Sequence, residues 1–322
     1  MDRITDHLGR RFTSLRVSLT AACNYACTYC VPNGKRLQAA SNELGVDDLL
    51  KAVGWLIETA GIEKLRITGG EPLVSSQFDG FLGGLQSLPL KEVSITTNGQ
   101  LLKDKAPLII DSGIRRVNIS LDTLNALKFR QIARGGDLEM VIAGIDAMLA
   151  AGLKVKVNMV PLARSNGDEI LSLLDFCLDR GIELRYIELM RMGHLLGSQD
   201  FDRDFIPMDQ ILEQIGQKYS YERTTAPYNA TAVRFKIHNR GVFGIIPNES
   251  EPFCQSCTRL RLSSNGHLYG CLSNSRSYDI RELLQGPKEE GLPELHGLLV
   301  KALADKKLAF QGETTVMKFI GG

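Results

Sequence analysis

Apolar and polar residues alternate in short runs through the first two-thirds of the chain, at residues 15–19, 64–68, 92–98, 116–122, 154–160 and 183–190. Helical periodicity fills the gaps at 46–60, 78–88, 139–151 and 168–180. Strand followed by helix, repeated, predicts βαβ units and a parallel sheet. Six units are too few to close an eight-stranded barrel, so a partial barrel is expected. Strands covered on both faces are near-continuous apolar runs, and these are not. Lys154, Lys156 and Asn158 share one face and Val155, Val157 and Met159 the other; Asn118, Ser120 and Asp122 oppose Val117, Ile119 and Leu121. Arg16 and Ser18, Arg66 and Thr68, and Ser94 and Thr96 line up likewise. A close-packed lumen does not tolerate unpartnered charge, so the pattern predicts an open, hydrated interior that takes a polar, anionic ligand. A sheet with one face in solvent would explain the Ser and Thr, but not basic residues recurring in separate strands.

Beyond about residue 200 the pattern changes to short strands at 232–238, 242–246, 259–263 and 267–271, a turn at Asn265-Gly266 and a helix at 292–308. We expect a core at 5–225 and a smaller α+β domain at 226–322. The chain has 322 residues, with 38 basic against 37 acidic. The net charge of +1 gives no footprint for nucleic acid. No apolar run reaches the ~18 residues of a membrane span, and the N-terminus lacks the apolar region of a secretory signal; no membrane association and a cytoplasmic location are expected.

The seven cysteines change the picture most. Three stand in Cys23-x3-Cys27-x2-Cys30, three in Cys254-x2-Cys257-x13-Cys271, and Cys177 lies in an apolar helical pattern that reads as core. Grouped cysteines in an odd total point to metal ligation rather than disulfides. Three thiolates on one tight loop can hold three irons of a four-iron cluster and leave the fourth open. A zinc site is the alternative: no histidine lies near the first loop, whereas His267 could complete the second. Gly69-Gly70-Glu71-Pro72 follows the second strand, where backbone can approach a ligand closely. Arg259 and Arg261, on alternate residues beside the second group, suit bidentate phosphate binding.

Together these motifs resemble the GTP 3′,8-cyclase family of radical S-adenosylmethionine (SAM) enzymes. The resemblance runs nearly end to end, through Arg66-Ile-Thr-Gly-Gly-Glu-Pro, Thr96-Thr-Asn98-Gly99, Asn118-x-Ser120-Leu-Asp122, Lys156-x-Asn158, Arg185-Tyr-Ile-Glu-Leu-Met190 and the final Gly321-Gly322. It implies an α/β fold, a partial (βα)6 radical SAM barrel whose smaller C-terminal domain carries a second Fe–S cluster. Cys23, Cys27 and Cys30 would then hold one [4Fe–4S] cluster and Cys254, Cys257 and Cys271 another. Tyr29, Gly70, Ser120 and Met190 match SAM-contacting positions. Arg16, Arg66, Thr96, Lys156, Arg185, Arg259 and Arg261 match GTP-contacting positions.

The implied reaction is a lyase step opening molybdenum cofactor biosynthesis. SAM, reduced through the first cluster, yields a 5′-deoxyadenosyl radical that takes hydrogen from ribose C3′ of GTP, and C3′ then bonds to guanine C8. The Gly321-Gly322 tail would reach into the site. A flavodoxin- or ferredoxin-type reductant, cyclic pyranopterin monophosphate synthase as the next enzyme, and a monomeric or homodimeric state are also implied. Ala21-Ala22 stand where the family commonly has Asp-Arg, and Val31 where it has Met. A paralogue acting on another substrate such as a peptide is the second enzyme reading. A zinc-binding interaction protein is the non-enzyme reading.

Overall fold

The computed structural model describes residues 4–226 and 229–313. Among them, twelve strands make one sheet: β1 (Ser14–Ser18), β2 (Lys64–Thr68), β3 (Glu92–Thr97), β4 (Arg116–Ser120), β5 (Lys154–Met159), β6 (Glu183–Ile187), β7 (Tyr221–Thr224), β8 (Val233–Ile237), β9 (Gly241–Ile246), β10 (Arg259–Leu262), β11 (His267–Tyr269) and β12 (Tyr278–Asp279). Their order is β12-β11-β10-β1-β2-β3-β4-β5-β6-β9-β8-β7. The six expected strands run parallel in sequence order. At one edge β10 joins β1 in parallel, and at the other β9 joins β6 in parallel. Antiparallel hairpins finish both edges.

Helices α1 (Val46–Ala60), α2 (Phe78–Leu85), α3 (Leu102–Asp111), α4 (Ala126–Ala133), α5 (Leu138–Ala150), α6 (Ile170–Asp179), α7 (Gln199–Asp204), α8 (Met208–Gly216), α9 (Arg281–Gln285) and α10 (Lys288–Ala304) accompany the sheet. Local chemistry sets their ends. Gly61, at φ +70°, takes the left-handed turn that stops α1, where a side chain would be strained. Asn125 and Asp137 cap α4 and α5 by accepting from the first free backbone N–H groups. The expected helix at 292–308 instead spans Lys288–Ala304, because Asp305 is tied down by Tyr278 Oη at 2.7 Å and Asn274 Nδ2 at 3.2 Å.

The apolar strand face meets the helices: Leu15, Val17, Ile67, Ile95, Val117, Val157 and Leu184 are at most 1% exposed. Cys177 on α6 belongs to this core, and burial pushes its thiol up to about 12. The polar face is interior as well, with Ser18, Thr68, Asn118 and Arg261 each at most 4% exposed. It is therefore the wall of a lumen and not an open solvent face. Among the described residues, no helix is long and apolar enough to cross a membrane.

Candidate functional site

Register brings the basic residues into one row. Arg261 on β10, Arg16 on β1 and Arg66 on β2 are direct neighbours across adjacent parallel strands. Parallel strands lie about 4.8 Å apart, and two unit charges near 5 Å repel by about 3 kcal/mol at an effective dielectric of ~20. Burial, then the guanidinium groups of Arg261, Arg66 and Arg259, hold Arg16 well below the usual arginine range. Burial and the neighbouring Arg185, Arg116 and Arg259 bring Arg66 down to about 9, and Arg261 falls to about 10 through burial and Arg259. Arg66 and Arg261 remain cationic at neutral pH. An anion bound there would relieve the repulsion.

Thr96, Asn118, Lys156 and Glu183 form a second row across β3 to β6. Here the charge is internally matched: Lys156 Nζ and Arg234 Nη2 each lie 2.8 Å from a Glu183 carboxylate oxygen. Arg185 Nη2 donates to Asn118 Oδ1 at 2.8 Å. Among the described residues, Thr96 Oγ1, Asn158 Oδ1 and Arg185 Nε on the wall are buried without a hydrogen-bond partner. Unpaired buried polar groups cost free energy, and all three belong to residues lining one cavity.

The first cysteine loop leaves the C-terminal end of β1 and is held from several sides. Ala26 N and Thr28 N donate to Ala133 O and Ile132 O at the end of α4, and Cys30 N donates to Cys27 O. Tyr25 Oη bonds Gln100 Oε1 at 2.8 Å and its ring packs edge-on against Phe129. Tyr29 Oη donates to Asp122 Oδ2 at 2.8 Å, and burial raises that carboxyl to about 6. Gly69 and Gly70 lie directly against the loop's backbone: a Cβ on Gly70 would sit 2.3 Å from Ala22 O and 2.5 Å from Ala21 O. Glu71 accepts from Leu73 N, Thr97 Oγ1 and Asn98 N.

The second cysteine group gathers at the opposite end of the same strands. Cys254 and Cys257 precede β10, and Cys271 follows β11, whose antiparallel register continues to a level with Arg259. Burial works against the Cys257 thiolate, yet Arg259 and Lys306 outweigh it and hold the thiol well below its ordinary value. At Cys254 the same two cations do not suffice: burial and the neighbouring Cys257 and Cys271 outweigh them and push the thiol up to about 11. His267 does not complete this group; its Nδ1 faces Ser277 Oγ at 3.3 Å.

The cavity is lined by Arg16, Tyr29, Cys30, Arg66, Thr96, Ser120, Arg185, Met190, Cys254, Cys257, Arg259, Arg261 and Cys271. Of the other expected site residues, Cys23 and Cys27 stand in the loop above it, Gly70 beneath that loop and Lys156 on the Glu183 pair. Gly321 and Gly322 lie outside the described residues. Arg10, Asn158 and Lys306 also line the cavity. Asn158 shares the polar face of its strand, whereas Arg10 and Lys306 carry no sequence signal.

Each cysteine group supplies three thiols, the donor set with which a four-iron cluster is held while one iron stays open.

Comparison with known proteins agrees with this geometry. A family model described as Radical SAM superfamily matches residues 17–177, and one described as Molybdenum Cofactor Synthesis C matches residues 182–311. The crystal structure of Streptococcus suis SuiB bound to its precursor peptide SuiA has a similar fold, at TM-score 0.63 and 18% identity; the match covers 85% of this chain but only 64% of SuiB. Fold and family model define a radical SAM enzyme, a class that uses a four-iron cluster and SAM. GTP 3′,8-cyclase 1 of Pseudomonas aeruginosa is 36% identical, over 98% of this chain and 97% of that protein. GTP 3′,8-cyclases of Listeria monocytogenes serotype 4b and Agrobacterium fabrum are 35% and 38% identical, covering 100% and 88% of this chain and 100% and 81% of those proteins. The chain belongs to the GTP 3′,8-cyclase family.

Proposed function

We propose that the enzyme is a lyase converting GTP to 3′,8-cyclo-7,8-dihydro-GTP, the first step of molybdenum cofactor biosynthesis. The observation that carries this reading is the row Arg261–Arg16–Arg66, a cationic strip in the cavity between two cysteine groups. Cys23, Cys27 and Cys30 hold the catalytic cluster, and Tyr29, Gly70, Ser120 and Met190 contact SAM beside it. Cys254, Cys257 and Cys271 hold a second [4Fe–4S] cluster at the far end, where the guanine binds. When bound, the first cluster and SAM supply one electron and the radical that takes hydrogen from ribose C3′.

The chain's own residues do the rest by positioning. Four residue steps along β1, about 13 Å, separate the levels of the two cysteine groups, enough for a nucleotide to lie lengthwise between them. Arg16, Arg66, Arg259 and Arg261 neutralise the triphosphate, each charge-assisted contact contributing about 1.5–3 kcal/mol. Thr96 and Arg185 offer their unpartnered polar atoms to the substrate, and Lys156 stands braced by Glu183. Gly193 N donates to Glu313 O at 2.8 Å at the cavity mouth. A flavodoxin- or ferredoxin-type reductant, a cytoplasmic setting and cyclic pyranopterin monophosphate synthase as the next enzyme complete the proposal.

The test is anaerobic reconstitution followed by incubation with SAM, dithionite and GTP. Formation of 5′-deoxyadenosine and a pterin precursor, both dependent on GTP, is expected. An Arg259→Ala/Arg261→Ala double variant should bind GTP at least tenfold more weakly. Unchanged GTP affinity in that variant would refute the substrate assignment.

A further inference from the structure

Lys306 is an ammonium group buried where nothing in the fold's core needs one. The residue is 6% exposed, just beyond the end of α10, and it lines the cavity. Its Nζ donates to Cys257 Sγ at 3.3 Å and to Arg259 O at 2.8 Å, and it lies 5.2 Å from the centre of the Phe12 ring. Burying a lysine costs several kcal/mol unless its charge is used, and a sulfur ligand with a backbone carbonyl is a specific use.

The backbone under it is fixed just as specifically. Arg10, itself 2% exposed, donates to the carbonyls of Lys306, Lys307 and Cys254 at 3.2, 3.0 and 3.0 Å and pairs with Asp6 at 2.7 Å. Three segments distant in sequence, 6–10, 254–259 and 306–307, are thus locked together around one cysteine.

We propose that Lys306 is a positioning residue for the second cysteine group: it orients Cys257 and stabilises the negative charge that a cluster there gains when reduced by one electron. This rests on the reading of Cys254, Cys257 and Cys271 as cluster ligands. A cation donating to a ligating sulfur favours the reduced, more negative form, so its removal drives the midpoint potential negative.

The experiment uses the full-length chain carrying Cys23→Ala, Cys27→Ala and Cys30→Ala, so that a single cluster is read. Iron is counted, and the cluster is titrated with dithionite while its paramagnetic signal is followed. With Lys306→Met, the reduced-to-oxidised ratio at a fixed potential is expected to fall about tenfold, which is about 59 mV for one electron. Lys306→Arg keeps the charge and should recover most of that shift. Lys306→Met with full iron and an unchanged midpoint overturns the inference. Should Lys306→Met fail to load, iron recovered by Lys306→Arg supports it, and iron absent from both overturns it. The wild-type chain separates the two levels of argument. About eight irons keep the two-cluster reading whatever Lys306 does, whereas about four irons remove that reading and the inference with it.

Discussion

Gly270, immediately before Cys271, is where one added methyl group should have the largest selective effect. A Cβ at Gly270 would lie 1.7 Å from Ala302 O and 2.5 Å from Ala302 C on α10, far inside the 3.0 Å that real contacts respect. The contact must open by about 1.3 Å, and it faces backbone on both sides. If α10 moves, the buried Leu295, Leu299 and Leu303 lose contact, and gaps of 0.5–1 Å already forfeit a quarter to a half of each contact's attraction. If the strand end moves, the Cys271 thiol is carried with it, and metal–ligand distances tolerate only about 0.2 Å. Overpacking of this kind costs about 1–3 kcal/mol. Gly270→Ala is therefore expected to lower the unfolding midpoint by several degrees and to reduce iron from about eight toward about four per chain. Gly297→Ala is the control, because its Cβ on the same helix would have no atom within 4 Å. It should stabilise by about 0.5–1 kcal/mol and keep all the iron. Thermal unfolding with iron and sulfide counting on reconstituted protein decides the matter. Full iron and unchanged stability in Gly270→Ala would refute the reasoning.

The mirror experiment is Gly70→Ala, whose Cβ would strike Ala22 O and Ala21 O at 2.3 and 2.5 Å. It should displace the first cysteine loop, weaken SAM binding at least tenfold in equilibrium dialysis and leave the second group loaded. Wild-type SAM affinity would count against the close approach. Glu71 gives a pH test. Burial raises its carboxyl from an ordinary 4.5 to about 7, against the pull of its three hydrogen bonds. The folded state therefore prefers the protonated acid, and a penalty enters as pH rises through that window, about 3 kcal/mol in all at 1.36 kcal/mol per unit. Glu71→Gln lacks this penalty but sets an amide N–H against the Asn98 or Leu73 donor, a loss independent of pH. Urea unfolding of both proteins from pH 4.5 to 7.5 should show the variant gaining on the wild type as pH rises; a flat difference would exclude the titration.

How much was legible follows from which forces are local. Strand β2 and helix α1 fall on their expected bounds because a two- or 3.6-residue period bounded by turns is written into consecutive residues. Helix α3 was missed because Leu-Lys-Asp-Lys-Ala-Pro-Leu-Ile-Ile-Asp is polar at its start and carries Pro107. Helix α4 has only eight residues. Strand β7, Tyr-Glu-Arg-Thr, is an exposed edge and reads as a loop. The pairing of β10 with β1 joins residues more than 240 positions apart, and no local pattern encodes it. For the site, the cysteine spacings and the polar strand faces were visible, but Arg10 and Lys306 acquire meaning only when both ends of the chain meet.

The buried cations sort by what satisfies them. Arg10 has Asp6 and three carbonyls, and Lys156 and Arg234 share Glu183. Their charge is matched within the protein. Arg16 and Arg66 differ: among the described residues neither makes a hydrogen bond or ion pair, and each faces further guanidinium groups. Ser94, next in the row, shows that a small neutral residue fits there, so the fold itself does not need these mutually repelling guanidinium groups. Under the proposed function, the free energy of that repulsion would be recovered when the substrate's phosphates arrive. The two kinds of cation meet at Cys257, where Arg259 and Lys306 both act on one sulfur. Under the proposed function, substrate charge at Arg259 would be felt at that sulfur, and electrostatics would couple occupancy of the cationic row to the second cysteine group.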